Sequence, residues 1–504
     1  MAEVFGLDFG TTNSLAATVA ADRAITYSDD EGRPHPSVVL YRGEETVVGR
    51  RAKDELDVAG AGVIGDAVRS PKAQLGSGHA MHVAGVAREP REVVAQILGH
   101  VREQAMSHPR NRETGSPFAE AVMTIPVNMD GRARRELRQA ASDAGIRVHQ
   151  FVHEPLAALY GYLREQPEWR RAMAELEGKL VLVFDWGGGT LDLTLCQLVS
   201  GTLVQVHNRG DGRVGGDQFD ERLRHLVRRR HAEHYGLEDM RQQPGAEAKL
   251  LNRCEQAKIT LSTSEDAPVF IPSYLATDGP SADVDVTIQR QEIEDLTADV
   301  VQQGLSSIDL LLERAGVNDA SIELVLATGG MVQMPVIRRR LRERFGPLRV
   351  PDVEGGQELI AKGAAWIGHD RQRVRLAKPF ELLLANDSPV ALVGETVDLP
   401  IRDTQLVYEF GLHCVDPRDG FARFQFTRPI RPGRAQPTDE RLAYRTLLLP
   451  IDTTAPPLVE RLTVAVRIDH DLVAHVSARS DLAREETGAE IHGLEFGLAL
   501  PVAT

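Results

Sequence analysis

Two stretches of this chain place an aspartate at the end of an apolar run and follow it at once with glycine and threonine. The first is Val4-Phe5-Gly6-Leu7-Asp8-Phe9-Gly10-Thr11-Thr12-Asn13. The second is Val181-Leu182-Val183-Phe184-Asp185-Trp186-Gly187-Gly188-Gly189-Thr190. Glycine lets backbone N–H groups approach an anion closely because it has no Cβ, and threonine hydroxyls add donors. An aspartate at the strand end can hold the waters around a hard cation such as Mg²⁺. The pattern is one for gripping a triphosphate from two sides. It is not a Walker loop, because no Gly-x₄-Gly-Lys-Ser/Thr run occurs.

The elements that would carry these residues follow from the flanking sequence. Second apolar runs, Leu15 to Val19 and Leu191 to Leu195, make each unit a strand, a glycine-rich turn and a strand. The two aspartates stand 177 positions apart (185 − 8). A repeat of that length predicts two similar α/β lobes facing each other. Asp130 can cap a helix from about Arg132 to Ala144, stopped by Gly145. Pro155 suits the first turn of a helix reaching about Leu163. One long helix is expected from about Gln291 to Arg314. After Trp366 the pattern changes, and from about Ser388 strands alternate with Pro and Gly turns. Leu462–Ile468 and Val473–Ser477 form the clearest pair.

Composition narrows the class. The 504 residues suggest roughly three domain-sized pieces. Hydrophobic residues make up 42% and aromatic ones 5%, which predicts aliphatic cores. No apolar run is long enough for a membrane span, and no basic-then-apolar leader opens the sequence. Cys196, Cys254 and Cys414 are scattered and odd in number, which argues against a disulfide framework and for a cytoplasmic home. A net charge of −15 disfavours a nucleic-acid partner. The basic triplets Arg228–Arg230 and Arg338–Arg340 read as solvated helix faces.

The motifs taken together resemble the 70-kilodalton heat-shock chaperones of the bacterial DnaK type. Leu7–Ser14 and Phe184–Asp192 resemble the family's two phosphate motifs. Val122–Pro126 through His153–Ala158 resembles its connecting segment, with 28 positions from Pro126 to Glu154. Gly215-Gly216-Asp217-Gln218-Phe219-Asp220 and Leu326–Gly330 with Met334-Pro335 resemble two further motifs. The resemblance covers nearly all of 1–375 and implies an actin-like nucleotide-binding domain using ATP/ADP and Mg²⁺.

Site roles are implied by the same resemblance. Lys72 matches the catalytic lysine, and Glu154 the glutamate near the nucleophile. Asp8 and Asp185 match aspartates that hold the metal through water, and Asp192 another acid of that cluster. Gly10, Thr11, Thr12, Asn13, Gly187, Gly188, Gly189, Thr190, Gly215 and Gly216 fall on the phosphate side. Glu255, Lys258, Ser262, Gly329, Gly330 and Gln333 fall on the nucleoside side. Pro126 and Arg134 match residues that relay nucleotide state. Gln333 stands where the family usually has an arginine that stacks on adenine; Ile259 and Met331 are further departures.

The same resemblance divides the chain into 1–375, a connector at 376–388 and an all-β region at 389–504 without a helical lid. Glu381–Asn386 resembles the family's acidic-leucine linker, although a buried strand is the competing reading. Ser388–Thr396 resembles the start of a β-sandwich substrate domain, while about 397–420, where the peptide cleft would lie, matches poorly. At Asp471-Leu472 the usual Asn-Gly turn is missing. The implied partners are an unfolded or extended polypeptide, a J-domain co-chaperone and a nucleotide exchange factor, with no nucleic acid and no membrane. The leading expectation is an ATP-hydrolysing, chaperone-like protein. The competing one is an ATP-gated adaptor with a fixed protein partner and weak turnover. A sugar or acetate kinase would share the hairpins but not the Glu154 segment or the β-region.

Overall fold

The computed structural model describes residues 3–59, 66–115, 117–212, 214–237, 241–243, 245–353, 355–395, 397–433, 436 and 439–500. Thr396 and both chain ends lie outside the described residues. The chain is a mixed α/β protein with two six-stranded sheets and two four-stranded antiparallel sheets.

The six-stranded sheets are built alike. In the first, the hairpin Phe5–Phe9 with Asn13–Ala20 is flanked by the parallel strands Glu120–Ile125 and Arg147–His153. In the second, the hairpin Leu180–Trp186 with Leu191–Val199 is flanked by the parallel strand Ile322–Thr328 and, on its other side, by Thr202–Asp211. The apolar runs Phe5-Gly6-Leu7 and Val181–Phe184 are almost wholly buried, as a sheet covered on both faces requires.

Two helices cross between the sheets, Glu154–Arg164 and Leu359–His369. Their approach is very close: a Cβ on Gly363 would sit 1.8 Å from the Ala157 carbonyl oxygen. Glycine is therefore required there, and the crossing fixes where Glu154 begins its helix. The helix Gly131–Asp143 starts where its cap requires, with Asp130 Oδ1 accepting from the Ala133 amide at 2.8 Å.

Three expectations give way. The long helix over about 291–314 is two helices, Arg290–Leu296 and Ala298–Ala315. The break falls at Thr297, fully buried, whose hydroxyl donates back to the Ile293 carbonyl at 2.7 Å. Such back-bonding competes with the helical ladder, and no proline or glycine announces it.

The connector expected at 376–388 is the second correction. Phe380–Leu383 is an inner strand of a four-stranded sheet, between Pro389–Val393 and Phe421–Pro429. Leu382 is buried, and Glu381, buried too, pairs with Arg441 at 2.8 Å. With Leu382 buried, Leu383 and Leu384 are half-buried in a paired strand and its turn, so the segment takes the competing reading.

The third correction concerns the β-region at 389–504. Two antiparallel sheets pack there through Arg441–Pro450, but the last described strand leaves them. Phe496–Ala499 pairs with Thr202–Asp211 and with Val374–Leu376, extending the second six-stranded sheet. An exposed sheet edge is a liability, and here the chain covers it with its own C-terminal strand.

Candidate active site

Each hairpin delivers one aspartate. Asp8 stands one residue before the end of its strand, opposite Leu15, and the parallel neighbour brings Thr124 alongside, donating to Asp8 Oδ1 at 3.0 Å. Asp185 pairs with Asp192 across its own hairpin and with Thr328 on its parallel neighbour. The first turn is anchored by Ser37, which donates its hydroxyl to the Gly10 carbonyl at 2.9 Å and its amide to the Thr12 carbonyl at 2.8 Å. Thr11, Thr12 and Asn13 are exposed. The second turn closes with the Gly187 amide donating to the Thr190 carbonyl at 2.9 Å, and Thr190 Oγ1 donates to Asp192 at 3.0 Å.

The two turns meet. A Cβ on Gly188 would lie 3.5 Å from Thr12 Oγ1 and 3.8 Å from Asp217 Oδ1. Gly215 and Gly216 back the second turn: the Gly216 amide donates to the Gly187 carbonyl at 3.2 Å and the Asp217 amide to Gly188 at 2.7 Å. Gly329 is held at φ +87°, and a Cβ there would fall 2.5 Å from Asp185 Oδ1, so only glycine leaves room for that carboxylate.

Lys72 lies at the centre. A short 3₁₀ turn, Pro71–Gln74, buries its side chain and aims Nζ at Glu154 Oε1, 2.8 Å away, and at the Phe9 carbonyl. Burial, then the charge of Glu154, pushes Asp8 up to about 7, against the pull of Lys72 and Thr124. Asp185 is pushed up to about 8 by burial and then by Glu154, Asp192 and Asp8, with Thr328 opposing. Burial also raises Asp192. These are carboxylates packed without enough positive charge to ionise comfortably.

Gly216 lies between the glycine turn and the residues expected on the nucleoside side. A Cβ on it would touch Lys258 Nζ and Met331 Sδ, each at 2.9 Å, and Gly188 Cα at 3.3 Å. Lys258, buried, donates to Asp220 at 2.7 Å and to the Gly216 carbonyl at 3.2 Å. Ser262 Oγ donates to the Lys258 carbonyl at 3.3 Å. Glu255 is tied to Lys53 at 2.8 Å, across the gap between the helices Arg50–Ala59 and Ala246–Leu261. Gln333, on the turn that Gly330 opens, accepts from Arg338 at 3.1 Å. Met331 is buried and Ile259 is 44% exposed. A cavity of about 1300 Å³ touches only Glu255 among the expected site residues; it runs between Leu56, Arg69, Asp217 and Leu251.

Several site residues were not anticipated. Thr124, Thr328, Asp217 and Asp220 sit inside motifs already singled out, so their positions were in view but their roles were not. Lys53 carries no local signal, since its partner is 202 positions away.

Of the two expected relay residues, Pro126 stays beside the acids and Arg134 reaches the β-region. Pro126 follows the strand Glu120–Ile125. Arg134 is buried and donates to the carbonyls of Asp471 (2.7 Å), Leu472 (3.1 Å) and His492 (3.0 Å). Leu472 holds φ +61° in the turn that lacks Asn-Gly. His153, next to Glu154, stacks on Phe496 with ring centroids 3.9 Å apart, and burial lowers it to about 3, so it stays neutral.

Comparison with known proteins identifies the family. The model of the Hsp70 protein family matches residues 4–70 and 68–383. The chain belongs to the Hsp70 family. It is similar to the protein named "Chaperone protein DnaK" of Mycoplasmoides gallisepticum (strain R(low / passage 15 / clone 2)), at 28% identity over 401 residues. That match covers 78% of this chain and 64% of the relative.

Proposed function

We propose that this protein binds and hydrolyses ATP between two actin-like lobes, one per six-stranded sheet, and couples nucleotide state to polypeptide binding by its β-region. The observation that supports this best is the central pair: Lys72, buried, held by Glu154 and by the backbone beside Asp8. The turns Gly10–Asn13 and Gly187–Thr190 would grip the phosphates with backbone amides and hydroxyls. Lys72 would stabilise charge that develops on the γ-phosphoryl group. Glu154 has Oε1 engaged by Lys72, and Oε2 would orient the attacking water and take its proton.

The carboxylates fit a magnesium ion. They are oxygen donors, buried and mutually repelling, and a divalent charge would relieve that repulsion. Among the described residues no three acids converge tightly enough to hold a metal directly, so Asp8 and Asp185 would hold it through water. When bound, the ion would neutralise phosphate charge.

The β-region carries the second reading. Arg134 is sealed by three carbonyls from 471–492, and the C-terminal strand is built into the second sheet. A firmly docked β-region favours an adaptor whose nucleotide state gates one fixed partner with slow turnover. J-domain and exchange-factor partners and a cytoplasmic setting belong with the chaperone reading. Among the described residues no helix is long and apolar enough to cross a membrane.

A single-turnover assay with ATP and magnesium tests the first reading: hydrolysis is expected, and Lys72→Ala should slow it by about 10²–10³-fold. Peptide-library binding with ATP and with ADP separates the two. Nucleotide-sensitive capture of extended peptides supports the chaperone, and its absence alongside intact ATP binding supports the adaptor.

A further inference from the structure

Glu154 is the first residue of its helix, and His153 before it is the last of the strand Arg147–His153. A helix start is ordinarily fixed by a capping side chain that accepts from an amide two or three places on. Here Pro155 has no N–H to offer, and the His153 side chain makes no capping hydrogen bond. Among the described residues its buried Nδ1 has no partner. What touches the ring instead is Phe496, buried, with ring centroids 3.9 Å apart and planes 23° from parallel.

Phe496 is itself held on both flanks. Its strand runs between Thr202–Asp211 and Val374–Leu376, with Phe496 opposite Leu376. Gly497 lets that strand close on its neighbour, since a Cβ there would fall 2.6 Å from the Leu203 carbonyl oxygen. Glu495 pairs with Lys378 and Arg428, and its carbonyl accepts from the Ala377 amide at 2.9 Å. A ring 343 positions down the chain (496 − 153) thus stands against the residue whose cap is missing.

We propose that Phe496 is a positioning residue for Glu154: the strand Phe496–Ala499 presses its ring on His153 and fixes the start of the Glu154 helix in place of a cap. The proposal rests on the reading above in which Glu154 orients the attacking water. A loosened helix start would move the carboxylate that meets Lys72 at 2.8 Å, while the turns that grip the phosphates stay where they are. Misplacing a reacting group by a small distance costs rate more than binding.

Single-turnover hydrolysis by the full-length protein, followed over a range of ATP concentrations, tests this. Phe496→Ala should lower the maximal rate about tenfold or more, with the half-saturating ATP concentration within about twofold of wild type. Phe496→Leu keeps apolar volume without the ring and should lose about threefold or more. Adding His153→Asn to Phe496→Leu supplies a cap that accepts from the Leu156 amide, and should recover most of the lost rate. Hydrogen exchange over residues 154–160 of the nucleotide-free protein should quicken in Phe496→Leu and slow again with His153→Asn. A half-saturating concentration that shifts as much as the rate, an unchanged rate in Phe496→Leu, or a loss that His153→Asn leaves in place overturns the proposal. If the wild type cleaves no ATP, the hydrolysis reading falls by itself. Exchange at 154–160 then decides whether Phe496 holds the helix start, and unchanged exchange in Phe496→Leu overturns that.

Discussion

The two glycine hairpins share a plan and differ in charge. In each, an aspartate is the next-to-last residue of the first strand and meets a threonine on the parallel neighbour, Thr124 for Asp8 and Thr328 for Asp185. Around Asp8 the negative Glu154 is opposed by Lys72. Around Asp185 the charges that act are Glu154, Asp192 and Asp8, all negative. The repeated scaffold thus carries its own cation on one side only. The other side is left with a deficit that a ligand's cation would fill, which is a physical reason for two like halves to bind one charged ligand between them.

Removing the resident cation should produce the largest effect. Lys72→Ala is expected to slow single-turnover hydrolysis by about 10²–10³-fold, as loss of an electrostatic stabiliser does. A rate within threefold of wild type would take Lys72 out of the chemistry and erase the asymmetry.

Next in size is a contrast between the aspartates. Asp185→Asn should weaken the magnesium-dependent part of ADP binding by about tenfold or more, and Asp8→Asn by less, because Lys72 already serves the Asp8 side. Calorimetry with and without magnesium gives both values, and the opposite ranking would break the comparison.

A pH series sharpens it further. An ordinary aspartate titrates near about 4, while folded Asp8 and Asp185 titrate at about 7 and about 8. Between those limits the unfolded chain has lost protons that the folded chain still holds. Stability therefore falls as pH rises from about 4 to about 8, and levels off once the folded groups ionise. The nucleotide-free melting temperature should drop by on the order of a few degrees from pH 5 to pH 8. Magnesium and ADP together should stabilise more at pH 8 than at pH 6, since the bound cation needs ionised carboxylates. A nucleotide-free melting temperature that rises over this range would contradict the burial of these acids.

The smallest expected change comes from Thr124→Val. It deletes one hydrogen bond to Asp8 and should cost about 1 kcal/mol in denaturant unfolding at neutral pH. Asp8 should then titrate higher and approach Asp185. An unmoved Asp8 titration would mean that Thr124 does not tune it.

Much of the site was legible because its parts are contiguous. Asp8–Asn13 and Asp185–Thr190 each fit within one turn, and local sequence sets a turn's geometry. Asp130 caps its helix and Pro155 sits in the first turn of its own, for equally local reasons. Lys72 and Glu154 were named singly, but the bond between them spans 82 positions and follows from how the helix carrying Glu154 crosses the sheets. Gln333 was read as a missing arginine, and the structure adds that Arg338 is bonded to it.

From the chain alone came the two hairpins, the acids and the lysine, and the switch from α/β to β patterning. Tertiary structure decided that Phe380–Leu383 is an inner strand of the sheet that also carries Arg441, rather than a connector. It also decided that the helix breaks at Thr297, that Lys53 reaches Glu255, and that Phe496–Ala499 closes an edge some 290 residues upstream. The division follows from range. Periodicity and turn chemistry report on neighbours a few residues apart. Which distant edge a strand completes, or which buried charge a lysine meets, depends on packing and chain closure that no local window contains.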